Sequence, residues 1–197
     1  MAEEIAGESY LQEDWYGEDL GDRAYTGCFF TNVDLTEATS RGAVFTECSF
    51  GNVRFNTSQH TDSAFLRCTF ERCNLFEAEF TGCKLVGSTF TQCDLRPLRV
   101  TDGDWSFVTL AGADLRGVTI RGTRMREVDL SGADCTGAVL AGVDLSGARL
   151  RGVKLGRCDL RGSDLTALDP ATADLRGAII EPAQAVVVAQ TLGLEIR

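Results

Sequence analysis

Apolar side chains recur every five residues through most of the chain. Of the 33 positions divisible by five between residues 20 and 180, 29 carry Leu, Phe, Ile, Met, Val, Trp or Tyr. The exceptions are Ser40, His60, Cys135 and Pro170. We call the positions in this series the centres of the repeat. Two residues before each centre, from residue 28 to residue 178, a second column holds only Cys, Ala, Val, Ser, Gly, Thr or Leu. A period of five fits neither an α-helix nor a β-strand, so the pattern predicts an all-β solenoid.

The repeat also predicts how each coil closes. Most glycines stand two places after a centre, a position that suits a backbone corner. If four such corners close one coil, residues 20 apart stack directly above one another. The eight coils between residues 20 and 180 then span roughly 38 Å at ~4.8 Å per strand. One inner ladder is expected to contain Phe30, Phe50, Phe70 and Phe90.

The five-residue pattern divides the chain into three parts. Residues 17–181 form the solenoid, and residues 1–16 form an N-terminal extension or cap, either packed on the first coil or partly mobile. Residues 182–197 lose the repeat and predict a short C-terminal α-helix, with Pro182 in its first turn and Gly193 at its end. Such a helix either caps the solenoid or pairs with a second copy, and we expect both, giving a homodimer through residues 182–197 that is roughly 80 Å long. The expected dimer interface consists of Ala185, Val186, Val188, Ala189, Leu192 and Leu194.

An irregularity is expected near Pro97. Proline has no N–H to donate to a neighbouring coil. Leu98 is large for the small inward position, and Gly103, five residues later, is small. We therefore predict a bend or a change in twist over residues 96–107, with Phe107 outside the core.

The residue types that carry chemistry fall into the same inward register. Seven of the eight cysteines occupy the small inward position and Cys135 a centre, which indicates buried thiols rather than disulfides or a metal site. The single histidine, His60, is expected above Ser40 as a buried hydrogen-bonded pair rather than as a nucleophile and base. Neither a cofactor, a metal site nor an enzymatic activity is predicted.

Charge is unevenly distributed along the chain. The net charge is −10, and residues 1–60 hold 11 acidic and 3 basic residues, whereas residues 121–197 hold 10 of each. Such an acidic chain disfavours direct nucleic-acid binding, which requires basic residues to neutralise phosphates. No segment reaches the ~20 apolar residues that would cross a membrane. The N-terminus lacks the order of a signal peptide, so we expect a cytoplasmic protein.

One outward column is rich in aspartate. It consists of the residues that immediately precede every fourth centre, and Arg54, Asn74 and Lys154 interrupt the run of aspartates. One interpretation is that these carboxylates hydrogen-bond the backbone at corners. The other is an anionic strip on a slender rod, presented to a DNA-binding protein. This acidic strip comprises Asp34, Asp94, Asp114, Asp134 and Asp174.

The chain resembles the pentapeptide repeat family, and within it the MfpA-like quinolone-resistance proteins. The resemblance rests on Ser58-Gln59-His60, Ser63-Ala64-Phe65, Cys68-Thr69-Phe70-Glu71-Arg72, Leu95-Arg96-Pro97-Leu98, Ala113-Asp114-Leu115-Arg116-Gly117, Leu145-Ser146-Gly147-Ala148-Arg149, Gln184-Ala185-Val186 and Leu192-Gly193-Leu194. It implies a right-handed quadrilateral β-helix that dimerises through its C-terminus and mimics double-stranded DNA. It also implies DNA gyrase as the partner, bound through the ATPase subunit, with supercoiling modulated or inhibited and the enzyme protected from quinolones. The related Qnr proteins carry projecting loops, for which this sequence has no place.

A second hypothesis belongs to another class of protein. Solenoids commonly serve as binding surfaces, and one scaffold hosts many tasks. The chain is then a structural or adaptor protein whose partner is not a topoisomerase.

Overall fold

The computed structural model describes residues 4–196 and shows a four-sided β-solenoid with one helix at its C-terminal end. Every strand is three residues long, because the chain turns a corner after each five-residue unit, and from β3 onward the middle residue of each is buried. The elements are β1 (Glu4–Ala6), β2 (Ser9–Leu11), β3 (Ala24–Thr26), β4 (Phe29–Thr31), β5 (Thr39–Arg41), β6 (Val44–Thr46), β7 (Ser49–Gly51), β8 (Gln59–Thr61), β9 (Ala64–Leu66), β10 (Thr69–Glu71), β11 (Glu79–Thr81), β12 (Thr89–Thr91), β13 (Arg99–Thr101), β14 (Thr119–Arg121), β15 (Val139–Ala141) and α1 (Pro182–Thr191).

Parallel sheets form three sides of the solenoid. Their strand orders are β1-β3-β6-β9, β12-β10-β7-β4-β2 and β15-β14-β13-β11-β8-β5. Partners are 20 residues apart, as in the pairing of Tyr25 with Phe45. The fourth side consists of isolated bridges with the same spacing, such as Asp34 with Arg54. The predicted four-sided closure and fold class are therefore confirmed.

The predicted phenylalanine ladder forms one column of the core in the N-terminal half. The rings of Phe30, Phe50, Phe70 and Phe90 stack in sequence, with centroid distances of 4.8, 4.8 and 4.5 Å. From Leu110 onward leucine predominates at the centres, as in Leu115, Leu130 and Leu140. No coil encloses these side chains alone, so each coil depends on its neighbours for burial.

The solenoid begins earlier than the sequence pattern predicted. β1 pairs with β3 and β2 with β4, so residues 4–16 belong to a regular first coil rather than to an extension. Ile5, Tyr10 and Trp15 are its centres and pack against the core. The predicted boundary at residue 17 was wrong because the repeat was identified by a small residue two positions before each centre. In the first coil these positions hold acidic residues instead, as in Glu8 and Glu13. An end coil tolerates this because those side chains are exposed.

The predicted irregularity at Pro97 consists of an opening between two coils. On the bridged side, Leu75 N–H donates to Asp94 O at 2.8 Å and Leu115 N–H to Asp134 O at 2.8 Å. Within the described residues, the equivalent donor on the coil between these two, Leu95 N–H, has no such bond. Asp114 N–H, on the facing coil, also has none. The Arg96–Pro97 peptide bond is cis. β11, β13 and β14 stay in register on one neighbouring side, so that side remains closed.

The positions of the side chains around the opening agree in part with those predicted from the sequence. Phe107 is 53% exposed, as predicted. Leu98 is nonetheless accommodated in the core, where it is 2% exposed. Gly103 has φ +85°, and a Cβ there would lie 2.1 Å from Cys83 O, so only glycine fits between these coils. A bend of the rod at this level stays a prediction.

The C-terminal helix α1 begins and ends as predicted. Pro182 is its first residue, and Gly193 follows it with φ +80°. Gly193 N–H donates to Gln190 O at 2.9 Å and Leu194 N–H to Ala189 O at 3.1 Å, the pair of bonds of a Schellman motif. Among the described residues, no helix has the length and apolar character needed to cross a membrane.

Candidate partner-binding surface

The acidic strip lies on the bridged side of the solenoid. Backbone bridges join Asp14 to Asp34, and the column continues through Arg54 and Asn74 to Asp94. A second run of bridges joins Asp114, Asp134, Lys154 and Asp174. The opening between coils separates the two runs. The sequence thus placed all five aspartates in the correct column, and the break between Asp94 and Asp114 lies at the irregularity predicted near Pro97.

Each strip carboxylate accepts a hydrogen bond from the backbone two residues later. The N–H of Thr36 donates to Asp34 at 3.0 Å, and that of Thr136 to Asp134 at 3.0 Å. The N–H groups of Arg96, Arg116 and Arg176 donate to Asp94, Asp114 and Asp174 at 3.3, 3.2 and 3.2 Å. These aspartates therefore stabilise corners of the solenoid, which was the structural interpretation of the column.

Basic side chains also neutralise the strip. Arg54 lies 2.5 Å from Asp34, and Lys154 lies 3.6 Å from Asp134. Asp114 pairs with two arginines, Arg116 at 2.6 Å and Arg96 at 3.1 Å. The remaining ion pairs are Arg96 to Asp94 at 4.0 Å and Arg176 to Asp174 at 2.9 Å.

The pKa values reflect these contacts. The hydrogen bond from Arg116 lowers the pKa of Asp114 to about 2, and Arg176 lowers that of Asp174 to about 2. At Asp34 partial burial raises the pKa, but hydrogen bonds from Thr36 and the charge of Arg54 outweigh it. The basic neighbours therefore largely balance the negative charge of the strip locally.

Unbalanced negative charge lies instead at the N-terminal end. Nine exposed carboxylates between residues 4 and 62 have no ion-pair partner in the described part of the chain. We call them the acidic end: Glu4, Glu8, Glu13, Asp14, Glu18, Asp19, Asp22, Glu37 and Asp62. The excess of acidic residues over residues 1–60 was visible in the sequence, but which of them lack a partner was not.

Four of the seven arginines between residues 121 and 161 form ion pairs with aspartate. Arg126 lies 2.6 Å from Asp144, and Arg161 lies 2.7 Å from Asp159. Further pairs join Arg124 to Asp104 at 3.0 Å and Arg149 to Asp129 at 3.5 Å. This half of the rod therefore presents a surface of alternating charge.

The Ser40 and His60 side chains form the predicted buried pair. Ser40 Oγ lies 2.7 Å from His60 Nδ1, and Ser58 Oγ lies 3.2 Å from Nε2. Ser58 in turn donates to Phe55 O at 2.8 Å, and Ser63 lies 2.9 Å from Ser40. Burial lowers the pKa of His60 to about 3, so the imidazole is neutral. The network is a buried and hydrogen-bonded part of the core.

The cysteines behave as small core residues. All eight are free, seven are buried, and Cys93 is half-buried at the opening between coils. Cys73 Sγ donates to Phe50 O at 3.2 Å and Cys83 Sγ to His60 O at 3.2 Å, so these thiols reach carbonyl oxygens of the preceding coil. Over the described residues, no group of His, Cys, Asp and Glu side chains is placed to hold a metal ion.

The expected dimer residues divide between two surfaces. Val188 packs against the chain's own core and lines an apolar cavity of about 80 Å³ with Leu160 and Leu165. Ala189 is half-buried and Ala185 exposed. Among the residues expected at the dimer interface, the larger side chains are exposed, with Val186 at 40%, Leu192 at 57% and Leu194 at 59%.

The structure shows which side of α1 faces the solenoid. Gln184 and Val188, one turn apart, face the solenoid. Gln184 Nε2 donates to Leu160 O and Ser163 O at 2.7 Å each, carbonyl groups of the end coil. These contacts set the rotation of the helix. The pattern of apolar residues in the helix did not indicate that a polar residue, Gln184, faces the solenoid.

Comparisons with known proteins agree with this architecture. The sequence matches the family described as pentapeptide repeats, in 8 copies, over residues 26–58, 61–96, 100–132, 129–166 and 144–181. A comparison with curated protein sequences found no match. Among solved structures, a trypsin-treated variant of QnrB1, described as a plasmid-mediated fluoroquinolone resistance protein, has a TM-score of 0.92 at 22% identity, covering 100% of this chain and 99% of that chain. Full-length QnrB1 has a TM-score of 0.79 at 19% identity, covering 97% and 100%. At these identities the likeness is one of fold.

Proposed function

The chain belongs to the pentapeptide repeat family, and from this premise we propose that it is a DNA-mimicking protein that binds DNA gyrase. In this role it modulates or inhibits supercoiling and protects the enzyme from quinolones or other gyrase poisons. The fold supports the proposal, because it matches over its full length that of a fluoroquinolone resistance protein.

The acidic end is the observation that carries the proposal. Its carboxylates are exposed, lack ion pairs in the described part of the chain and lie on several sides of a narrow rod. Duplex DNA presents about one negative charge per 1.7 Å of axis. A protein surface that neutralises phosphates with Lys and Arg therefore also attracts this end of the rod.

The ion pairs favour the acidic end over the acidic strip as the main contact. Binding through Asp114 or Asp134 would require a partner to compete with Arg116, Arg96 or Lys154. Binding through Asp22, Glu37 or Asp62 requires no such exchange. In this proposal the strip maintains the shape of the rod and contributes to binding indirectly.

A homodimer completes the proposed assembly. Val186, Leu192 and Leu194 are exposed apolar side chains on and after α1, and Ile196 extends the patch at 52% exposure. Pairing two copies there buries apolar surface and places the two acidic ends at opposite tips. Gyrase as partner, through its ATPase subunit, places the protein in the cytoplasm.

A supercoiling assay tests the proposed function. Gyrase is titrated with the purified protein, with and without a quinolone, and both supercoiled product and drug-induced cleavage are measured. The proposal predicts a dose-dependent change in either quantity that weakens as salt screens the contact. A folded protein without effect on either quantity contradicts it.

A structural or adaptor role is the second candidate. The local balance of charge along the strip and in the arginine-rich half favours it, since neither surface resembles a polyanion. An affinity purification that recovers one partner reproducibly, and no gyrase, would support this candidate.

A further inference from the structure

Two cysteine side chains meet next to the opening between coils. Cys73 and Cys93 are 20 residues apart in the small inward column, so they lie one above the other on adjacent coils. Asp94 N–H donates to Cys73 O at 2.9 Å, which holds the two backbones together as paired strands, ~4.8 Å apart. The Cα atoms of a disulfide are usually about 4.4–6.8 Å apart. The spacing of the coils therefore brings these two cysteines within range of a disulfide.

The opening gives one of the two thiols access to solvent. Seven of the eight cysteines are buried, whereas Cys93 is half-buried. Together with Phe90, Leu95 and Asp114, Cys93 lines a cavity of about 510 Å³, which is many times the roughly 30 Å³ that one water molecule occupies. Cys73 is 1% exposed. A small solute in the cavity therefore meets Cys93 first, and Cys73 lies behind it.

The opening also frees the backbone of Cys93 on one side. Its carbonyl oxygen has no donor among the described residues, because Asp114 N–H does not bond to it, and Leu95 N–H has no acceptor on the facing coil. A disulfide needs Cβ atoms about 3.5–4.5 Å apart, somewhat less than the ~4.8 Å between paired strands. Cys93 can make this small movement towards Cys73 without breaking a hydrogen bond to the next coil.

The contact between the two thiols favours Cys93 as the nucleophile. A hydrogen bond from the Cys73 thiol lowers the pKa of Cys93. The same contact, together with burial, raises the pKa of Cys73. Because the thiolate is the reactive form of cysteine, the more accessible thiol is also the one that ionises more readily.

We propose that Cys93 and Cys73 form a redox-reactive pair that hydrogen peroxide converts into a disulfide between two coils. The Cys93 thiolate attacks one peroxide oxygen, the O–O bond breaks, and Cys93 becomes a sulfenic acid. The other oxygen takes up the thiol proton and leaves as water. The Cys73 sulfur then attacks the sulfenic sulfur, the S–O bond breaks, and the hydroxyl leaves with the Cys73 proton as a second water. The two thiols lose two electrons in total, and the peroxide gains them.

Cys48 and Cys68 provide a matched pair in the same molecule. They are also 20 residues apart in one inward column, and their thiols are in hydrogen-bond contact. Both are 1% exposed, and Thr89 N–H donates to Cys68 O at 2.9 Å, so the next coil covers them. The two pairs therefore share their stacking and differ in access to solvent. The proposal predicts oxidation of Cys73 and Cys93 but not of this pair.

Peptide mapping of the oxidised protein tests the proposal. The folded full-length protein is treated with hydrogen peroxide in native buffer, its remaining thiols are alkylated after unfolding, and its unreduced peptides are analysed by mass spectrometry. We expect a cross-linked peptide that contains Cys73 and Cys93, lacks two hydrogen atoms and disappears after treatment with dithiothreitol. We expect Cys93 to be oxidised at least roughly tenfold faster than Cys48 or Cys68.

Serine variants assign the role of each thiol. Serine fits the small inward position, since Ser88 is buried there. Cys73→Ser is expected to stop at a sulfenic acid on Cys93, which dimedone traps, and Cys93→Ser to leave Cys73 reduced. Cys48→Ser, the control, should still form the disulfide.

Three results would overturn the proposal, each in protein that retains the wild-type circular dichroism spectrum. The first is a Cys93 that reacts no faster than the buried cysteines. The second is oxidation of Cys93 in wild type without a bond to Cys73. The third is a disulfide that joins Cys93 residues of two molecules instead.

Discussion

The guanidinium of Arg54 lies 2.5 Å from the carboxylate of Asp34, one coil away on the same side of the solenoid. The same spacing of 20 residues joins Arg99 to Glu79 at 2.8 Å and Arg67 to Glu47 at 3.0 Å. Because residues 20 apart stack, opposite charges at this spacing neutralise each other. The net charge of a surface column therefore depends on which residues follow one another at intervals of one coil.

Gly103 and Gly112 provide a matched test of coil packing. A Cβ at Gly103 would lie 2.1 Å from Cys83 O, whereas one at Gly112 would have no atom within 4 Å. Both residues have positive φ, which costs an L-residue about 1 kcal/mol. We expect Gly112→Ala to lower the free energy of unfolding by about 1 kcal/mol and Gly103→Ala by about 3 kcal/mol or more. Equal losses in urea unfolding would contradict the close approach of the coils.

The phenylalanine ladder is expected to dominate stability in the N-terminal half. Phe50 is 1% exposed and stacks on both Phe30 and Phe70. Phe50→Ala should lower the free energy of unfolding by about 3–5 kcal/mol. Phe29, one residue from the ladder but 52% exposed, is the control, and Phe29→Ala should cost less than about 0.5 kcal/mol. A large effect at Phe29 would mean that the assigned inward register is incorrect.

His60 is expected to make the protein sensitive to acid. Burial lowers its pKa in the folded state to about 3, compared with about 6.5 when unfolded. Between these values the unfolded chain binds the extra proton, so stability is lost as the pH falls. From pH 7 to pH 4 this amounts to about 3 kcal/mol.

The variant Ser40→Ala, His60→Phe tests this origin of the acid sensitivity. It removes the titrating group together with the hydroxyl that would lose its partner. Its free energy of unfolding should fall by about 3 kcal/mol less than that of wild type over the same pH range. Parallel pH profiles of the two proteins, measured by urea unfolding, would show that the acid sensitivity arises elsewhere.

Amide hydrogen exchange should detect the opening between coils. Leu75 N–H and Asp134 N–H are bonded to the adjacent coil at 2.8 and 2.9 Å. Leu95 N–H and Asp114 N–H, at equivalent positions, have no such bond within the described residues. The latter pair should exchange at least roughly tenfold faster. Comparable protection at all four amides would indicate that the ladder is closed in solution.

The fold could be predicted because one local rule repeats. Centres such as Tyr25 and Phe30 and small residues such as Cys28 identify the inward positions without any long-range information. The rule failed at the first coil, where the exposed residues Glu8 and Glu13 stand in place of small ones.

The candidate surface was less predictable than the fold. Spacing placed Asp34 and Asp114 in one column, but their neutralisation depends on side-chain conformations, such as the fold-back of Arg116 onto Asp114. The rotation of α1 likewise depended on Gln184 finding two carbonyl groups of the end coil. Such tertiary hydrogen bonds leave no periodic signal in the sequence.

The most direct test of the account compares gyrase supercoiling in the presence of two charge-neutralised variants. The first, Asp22→Asn, Glu37→Gln, Asp62→Asn, removes three carboxylates of the acidic end. The second, Glu127→Gln, Asp164→Asn, Asp169→Asn, removes three carboxylates without ion-pair partners from the C-terminal half, as far as the structure describes the chain. The account predicts that the first variant requires at least roughly tenfold more protein for the same effect on gyrase, as lost charge complementarity weakens binding. It predicts that the second acts like wild type, whereas equal potency of all three folded proteins would contradict recognition through the acidic end.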